Sequence, residues 1–146
     1  MIAIASDHGG FALKQELIAQ LKKDGIPFED LGTYTEESCD YPVYAEKLGR
    51  AVAAGTYEKG ILICGTGIGI SMAANKIHGV RCALCSDCFS AEMTRRHNDA
   101  NVLAMGGRVL GVELAKRIMN IFLSTPFEGG RHQRRVDQMM ALETQD

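Results

Sequence analysis

Cys64 ends the apolar run Gly60-Ile61-Leu62-Ile63-Cys64, and Gly65-Thr66-Gly67-Ile68-Gly69 follows it at once. A thiol at such a position can serve as a base. The next residues, Ile70 to Ile77, predict a helix, so the backbone N–H groups of Gly65 to Gly69 should point into the crevice beyond the strand, where they favour anions. A thiolate beside an oxyanion pocket suits proton abstraction next to a carbonyl, or acyl transfer through sulfur. His97 is a second candidate, because an imidazole can donate to a ring oxygen and accept from a hydroxyl near neutral pH. Arg131 and Arg135 stand four apart in a predicted helix. Both guanidinium groups then leave one face and could grip a dianion through charge-assisted hydrogen bonds.

The elements that must position these residues form a regular rhythm of short apolar strands and amphipathic helices. Strands are predicted at Ile2 to Ser6, Pro27 to Leu31, Gly60 to Cys64, Val80 to Cys85 and Asn101 to Met105. Phe11 to Lys23 reads as a surface helix with Leu13, Leu17, Ile18 and Leu21 inward and Lys14, Glu16, Lys22 and Lys23 on other faces. Tyr44 to Ala54 and Val112 to Leu123 repeat the pattern, and a last helix falls within residues 129–142. Gly25, Gly55 and Gly79 sit where helix C-terminal caps would. The alternation implies one domain built on a parallel sheet covered on both faces.

In such sheets ligands bind beyond the C-terminal ends of the strands, where strand order reverses. Asp7 and His8 follow the first strand and Cys64 the third, so pairing these two strands assembles one pocket. His97 and Asn98 precede the fifth strand and belong to the opposite rim, about 17 Å away. If His97 serves this pocket it comes from a neighbouring copy, which predicts at least a homodimer with the catalytic site at the interface. Pairing of dimers into a homotetramer stays open. The stripe Val136, Met139, Met140 and Leu142 reads as packing, in part against the partner.

Composition narrows the partners. The 146 residues carry 16 basic and 18 acidic side chains, well mixed, for a net charge of −2. That balance gives no footprint for nucleic acid or an anionic membrane and favours a small ligand. The N-terminal run Met1 to Asp7 has no basic region and soon meets a charge, which argues against a signal peptide or a membrane span. Five cysteines, an odd number, argue for reduced thiols in the cytoplasm.

Three other patterns read as packing or surface. Cys82, Cys85 and Cys88 have iron–sulfur spacing without the completing ligand, so buried packing is preferred over a metal site. The Gly65-x-Gly67-x-Gly69 turn follows the third strand and lacks the later acidic residue of a dinucleotide fold. His78 and His132 read as surface or capping residues.

Taken together, Ser6-Asp7-His8-Gly9-Gly10, Asp40-Tyr41-Pro42, Cys64 to Ser71, Ala74-Asn75-Lys76, Arg96-His97-Asn98-Asp99 and Gly129-Gly130-Arg131-His132-Gln133 resemble the type B ribose-5-phosphate isomerases of the ribose/galactose isomerase family. The resemblance implies a Rossmann-like, three-layer α/β/α sandwich with a five-stranded parallel sheet. It implies interconversion of ribose 5-phosphate and ribulose 5-phosphate without metal or organic cofactor. By the family pattern Cys64 is the base, Thr66 shuttles protons, and the amides of Gly65, Gly67, Ile68 and Gly69 hold the enediolate. His97 with Asp7 would open the furanose ring, and His8, Arg131 and Arg135 would bind phosphate. Asn98, Arg108 and Tyr41 match further substrate contacts. One branch of the family uses a glutamate instead of the cysteine; here Cys64 is present and Ser71 stands after the loop. Rival readings are an allose- or galactose-6-phosphate isomerase and a phosphosugar-binding module without turnover.

Overall fold

The computed structural model describes residues 1–144. The chain runs β1 (Ile2–Ser6), α1 (Phe11–Lys23), β2 (Phe28–Asp30), α2 (Tyr41–Ala53), β3 (Gly60–Cys64), α3 (Ile68–Ala74), β4 (Cys82–Leu84), α4 (Cys88–Asn98), β5 (Val102–Gly106), α5 (Val112–Ser124) and α6 (Arg131–Ala141). Short 3-10 turns lie at His8–Gly10 and Leu142–Thr144. The strands form one parallel sheet in the order β2-β1-β3-β5-β4. Strand order reverses between β1 and β3, and that junction carries both Asp7 and Cys64.

β1, β3 and β5 are buried along their whole length, because their apolar runs do not alternate and both faces of the sheet are covered. On one face Ile2, Ile4, Ile61, Ile63, Leu103 and Met105 pack against α1 and α5. On the other, the smaller Ala3, Ala5, Leu62, Cys64 and Ala104 meet α2 and α3. The helix caps read from glycine stand at positive φ: 68° at Gly25, 81° at Gly55 and 92° at Gly79. After α1 the Gly25 N–H donates to the Lys22 carbonyl at 3.2 Å and the Ile26 N–H to that of Leu21 at 3.0 Å, the paired bonds of a Schellman end.

Several elements differ from the sequence reading for identifiable reasons. α2 starts three residues before the expected Tyr44, at Tyr41, because Pro42 fits a first helical turn whose N–H would be unpaired anyway. β4 is shorter than Val80 to Cys85 and half-exposed, since it is the outermost strand and lacks a neighbour on one side. α4 did not stand out in the sequence because its buried face consists of Ala91 and Arg95 rather than an apolar stripe. Arg95 is accommodated there by donating to the carbonyls of Thr125 at 3.1 Å and Ala100 at 2.6 Å and to Asp99 Oδ1 at 3.0 Å. Lys14, assigned to an outer face of α1, is instead fully buried.

Candidate active site

The site is built outward from the end of β3. The Cys64 carbonyl accepts the Gly107 N–H at 2.8 Å and the Gly65 carbonyl accepts that of Arg108 at 2.9 Å, so β5 holds the first residues of the turn in register. The chain then reverses at Gly67, whose φ of 80° is a left-handed conformation. A Cβ there would also stand 2.7 Å from the Met105 carbonyl carbon, which leaves glycine as the fitting residue. The reversal brings the Gly67 N–H back to the Cys64 sulfur at 3.1 Å. This backbone donor fixes the sulfur at the start of the turn.

α3 begins at Ile68, two residues earlier than expected, and spans only seven residues. Gly67 is therefore its N-cap, and the turn acts through individual amides more than through a long helix dipole. Two amides are already engaged: that of Gly67 with the sulfur, and that of Ile68, which donates to Thr66 Oγ1 at 3.2 Å. The N–H groups of Gly65 and Thr66 have no protein acceptor among the described residues. Since Thr66 Oγ1 accepts from the backbone, its own proton is available to a ligand. Ser71 is buried and donates to the Ile68 carbonyl at 2.7 Å, so its hydroxyl finishes the turn of α3.

Four further candidates share this rim. Asp7 is buried at the end of β1, where its N–H donates to the Ile63 carbonyl at 3.2 Å and its Oδ1 accepts the Gly10 N–H at 3.1 Å. His8 Nδ1 accepts the Cys39 N–H at 3.2 Å, so the neutral ring carries its proton on Nε2. The Arg108 guanidinium lies over Gly65, 3.4 Å from where a Cβ would be. Tyr41 lies over Gly69 in the same way, its ring 2.7 Å from a Cβ there. Gly9 leaves room as well, because a Cβ on it would approach the Gly65 nitrogen to 3.1 Å.

His97, Asn98, Arg131 and Arg135 form a second group that the single chain does not bring to Cys64. His97 and Asn98 end α4, and β5, whose far end pairs with Cys64, separates them from the thiol. Arg131 and Arg135 are exposed on α6, and among the described residues neither has an acidic side chain within 4.0 Å. His132, read from sequence as a surface or capping residue, is buried and stacks on His97 with ring centroids 4.2 Å apart and planes 12° apart. Glu128 accepts from His132 Nε2 at 3.3 Å, while the Glu128 N–H donates to the Arg96 carbonyl at 3.1 Å. Only the pairing of α4 with α6 brings these groups together, which no local sequence signal announces.

His97, Glu128 and His132 are also the one group of potential metal ligands found among the described residues. Imidazole lone pairs lie in the ring planes, so two rings stacked nearly parallel do not aim at one point, and the arrangement fits packing better than coordination. Cys82, Cys85 and Cys88 do not form such a group. Burial pushes the Cys82 thiol up to about 12 and the Cys85 thiol to about 11, so both stay protonated near neutral pH.

A family model described as Ribose/Galactose Isomerase matches residues 2–139. The chain belongs to the ribose/galactose isomerase family. It is 52% identical over 142 residues to ribose-5-phosphate isomerase B of Escherichia coli K12, covering 97% of this chain and 95% of that protein. Among solved structures, ribose-5-phosphate isomerase B of Clostridium thermocellum superimposes with a TM-score of 0.96 at 49% identity, covering 98% of this chain and 97% of that one. The Mycoplasma genitalium enzyme with bound ribulose-5-phosphate gives 0.93 at 41% identity, over 99% and 97% of the two chains. No helix among the described residues of this chain is long and apolar enough to cross a membrane.

Proposed function

We propose that the chain interconverts ribose 5-phosphate and ribulose 5-phosphate, with Cys64 moving the proton. The observation that carries this reading is the sulfur held at 3.1 Å by the Gly67 N–H beside the unspent amides of Gly65 and Thr66. In the open-chain aldose the Cys64 thiolate takes the proton from C2, and the C2–H electron pair becomes the C1–C2 double bond. The negative charge moves to O1, where preorganised N–H donors stabilise it more than they stabilise the starting carbonyl. Thr66 can pass a proton between O2 and O1. The thiol then returns its proton to C1, which completes the ketose and regenerates the base. The bound ribulose-5-phosphate in the Mycoplasma genitalium relative supports the substrate class.

The remaining roles require a second copy of the chain. His97 would open the furanose ring together with Asp7 of the other copy. Arg131 and Arg135 would join His8 around the phosphate, with Asn98, Arg108 and Tyr41 as further substrate contacts. The C-terminal rim is suited to receive that copy. Ile68 and Met72 on α3, Leu84 at the end of β4, Phe89 at the start of α4 and Val109 after β5 are all exposed and apolar around it. A homodimer that covers this collar and lays α6 on its neighbour would enclose Cys64, itself 5% exposed.

The direct test is conversion of ribose 5-phosphate by the purified protein in deuterated water, with allose 6-phosphate run in parallel. Ribulose 5-phosphate is the expected product, with solvent deuterium at C1 to the extent that the Cys64 thiol exchanges its proton before returning it. A protein that binds ribose 5-phosphate and neither isomerises it nor exchanges its C2 proton would be a binding module instead.

A further inference from the structure

The fully buried ammonium of Lys14 has no part in the chemistry above, yet it sits one layer behind it. Its Nζ donates to Asp30 Oδ1 at 2.6 Å and to the Thr33 carbonyl, and it lies 5.6 Å from the Phe11 ring centroid and 5.4 Å from that of Tyr34. The same Asp30 oxygen accepts the Gly32 N–H at 2.9 Å. Desolvating an ammonium and a carboxylate is costly, and a hydrophobic pair of similar volume is often as stable or more so. Stability alone therefore gives a weak reason for placing this pair here.

What the pair holds is the turn after β2, and that turn is tied to the end of β1. The Ser6 N–H donates to the Gly32 carbonyl at 2.7 Å and the Thr33 N–H to the Ser6 carbonyl at 2.8 Å, one residue before Asp7. From Thr33 the chain runs through the exposed stretch 34–38 and returns at Cys39, whose N–H reaches His8 Nδ1 at 3.2 Å. Two residues later Tyr41 lies over Gly69. One segment, anchored at its root by Lys14, thus touches the candidate site from two sides.

We propose that Lys14, through Asp30 and the Thr33 carbonyl, is a positioning residue for the substrate site. It fixes the 32–41 segment so that the Cys39 N–H holds His8 as its Nε2–H tautomer and Tyr41 stays against the glycine turn. The functional half of this inference rests on the sugar-phosphate reading above; the half concerning His8 does not.

The test uses Lys14→Met, which keeps the length and apolar stem, and Asp30→Asn, which keeps an acceptor oxygen and loses the charge. Nitrogen-15 NMR of the His8 ring reports the tautomer without any substrate. The wild type should show a protonated Nε2 and an accepting Nδ1, and the variants a mixture of tautomers. KM for ribose 5-phosphate should rise about tenfold, with kcat changed less, as misplaced binding groups would produce. Should Lys14→Met fail to fold, Asp30→Asn carries both readouts. A folded variant with a lower Tm but an unchanged His8 spectrum and unchanged KM would reduce Lys14 to a structural residue and overturn the proposal. So would a wild-type His8 protonated on Nδ1. If the wild type shows the expected tautomer but no isomerisation, the functional reading fails while the positioning of His8 stands.

Discussion

The Cys64 rim and the His97 cluster lie at opposite ends of the same strand and are built by opposite means. At the Cys64 rim nearly every group is fixed by backbone: strand register seats the turn, one left-handed residue returns an N–H to the sulfur, and Asp7 caps its own 3-10 turn. At the other end His97 depends on ring stacking with His132, and Arg131 and Arg135 on α6 stand in solvent with no acidic side chain within 4.0 Å among the described residues. On the proposed mechanism the first region is preorganised for charge that develops during the reaction. The second is preorganised only in part, since its cations are exposed and held by no side-chain partner among the described residues. On the proposed mechanism, folding one chain completes the base and the anion pocket, whereas the phosphate and ring-opening groups would await a second copy.

The largest effect that could break this contrast is the loss of Cys64. Cys64→Ala should fold normally and lose isomerisation by about 10³-fold or more, the scale expected of a general base. Near-normal turnover by the pure variant would remove the thiol from the mechanism and leave the turn as a binding element. Mixing sharpens the comparison further. A dimer of one Cys64→Ala chain and one His97→Asn chain has one site with both defects and one with neither, if the halves come from different copies. Random re-association of the two inactive proteins should then restore about a quarter of wild-type activity, because about half the dimers are mixed. No recovery after verified exchange would place His97 and Cys64 in the same copy's site or in none.

Much of the Cys64 rim could be read in the sequence because its determinants are local. An unbroken apolar run, a thiol and a glycine turn follow one another, and the pairing of β1 with β3 follows from general rules for parallel sheets. The limits of β1, α1 and β3 match the reading to the residue for the same reason. The other region was legible only as residue types. His132 looked like a surface histidine since nothing within four residues reveals that α6 folds back on α4, and Lys14 looked like a surface charge since its partners lie 16 and 19 residues away. Buried charge satisfied by distant groups leaves no periodic trace, and α4 was obscured in the same way by Arg95.

Smaller effects test each region separately. Arg131→Ala and Arg135→Ala should each raise KM for the phosphorylated sugar by about 10- to 100-fold, the range of a charge-assisted hydrogen bond of about 1.5–3 kcal/mol. An unchanged KM for both would leave α6 as a solvated or interfacial helix. On the other rim, Gly67→Ala forces a Cβ into a left-handed turn and to 2.7 Å from the Met105 carbonyl carbon. It should cost about 1–3 kcal/mol of stability in urea titration and lower kcat, since the N–H on the sulfur moves with the turn. If kcat held while stability fell, the Gly67 N–H contact with sulfur would be structural only.

The smallest expected effect concerns α4, the element that joins the two regions. It begins beside the C-terminal end of β4 and runs 11 residues, about 16 Å, to His97 and Asn98 at the opposite rim. Asp87 caps its start: Oδ1 accepts the Ser90 N–H at 2.7 Å and Oδ2 accepts the Ser90 hydroxyl at 2.8 Å. These two bonds, backbone first, hold the Asp87 carboxyl below its ordinary range. A carboxylate depressed in the folded state binds protons more readily when unfolded, so its contribution is complete above the ordinary carboxylate range. It fades as pH falls through the lowered value of the folded protein. Asp87→Asn, which can still accept from the Ser90 N–H, should lower Tm by about 3 °C at neutral pH. The difference from wild type should shrink at acid pH, where both side chains are neutral. If the same variant also slows ring-closed substrate more than an open-chain analogue, the cap at one rim controls the placement of His97 at the other. Equal slowing of both would confine Asp87 to helix stability.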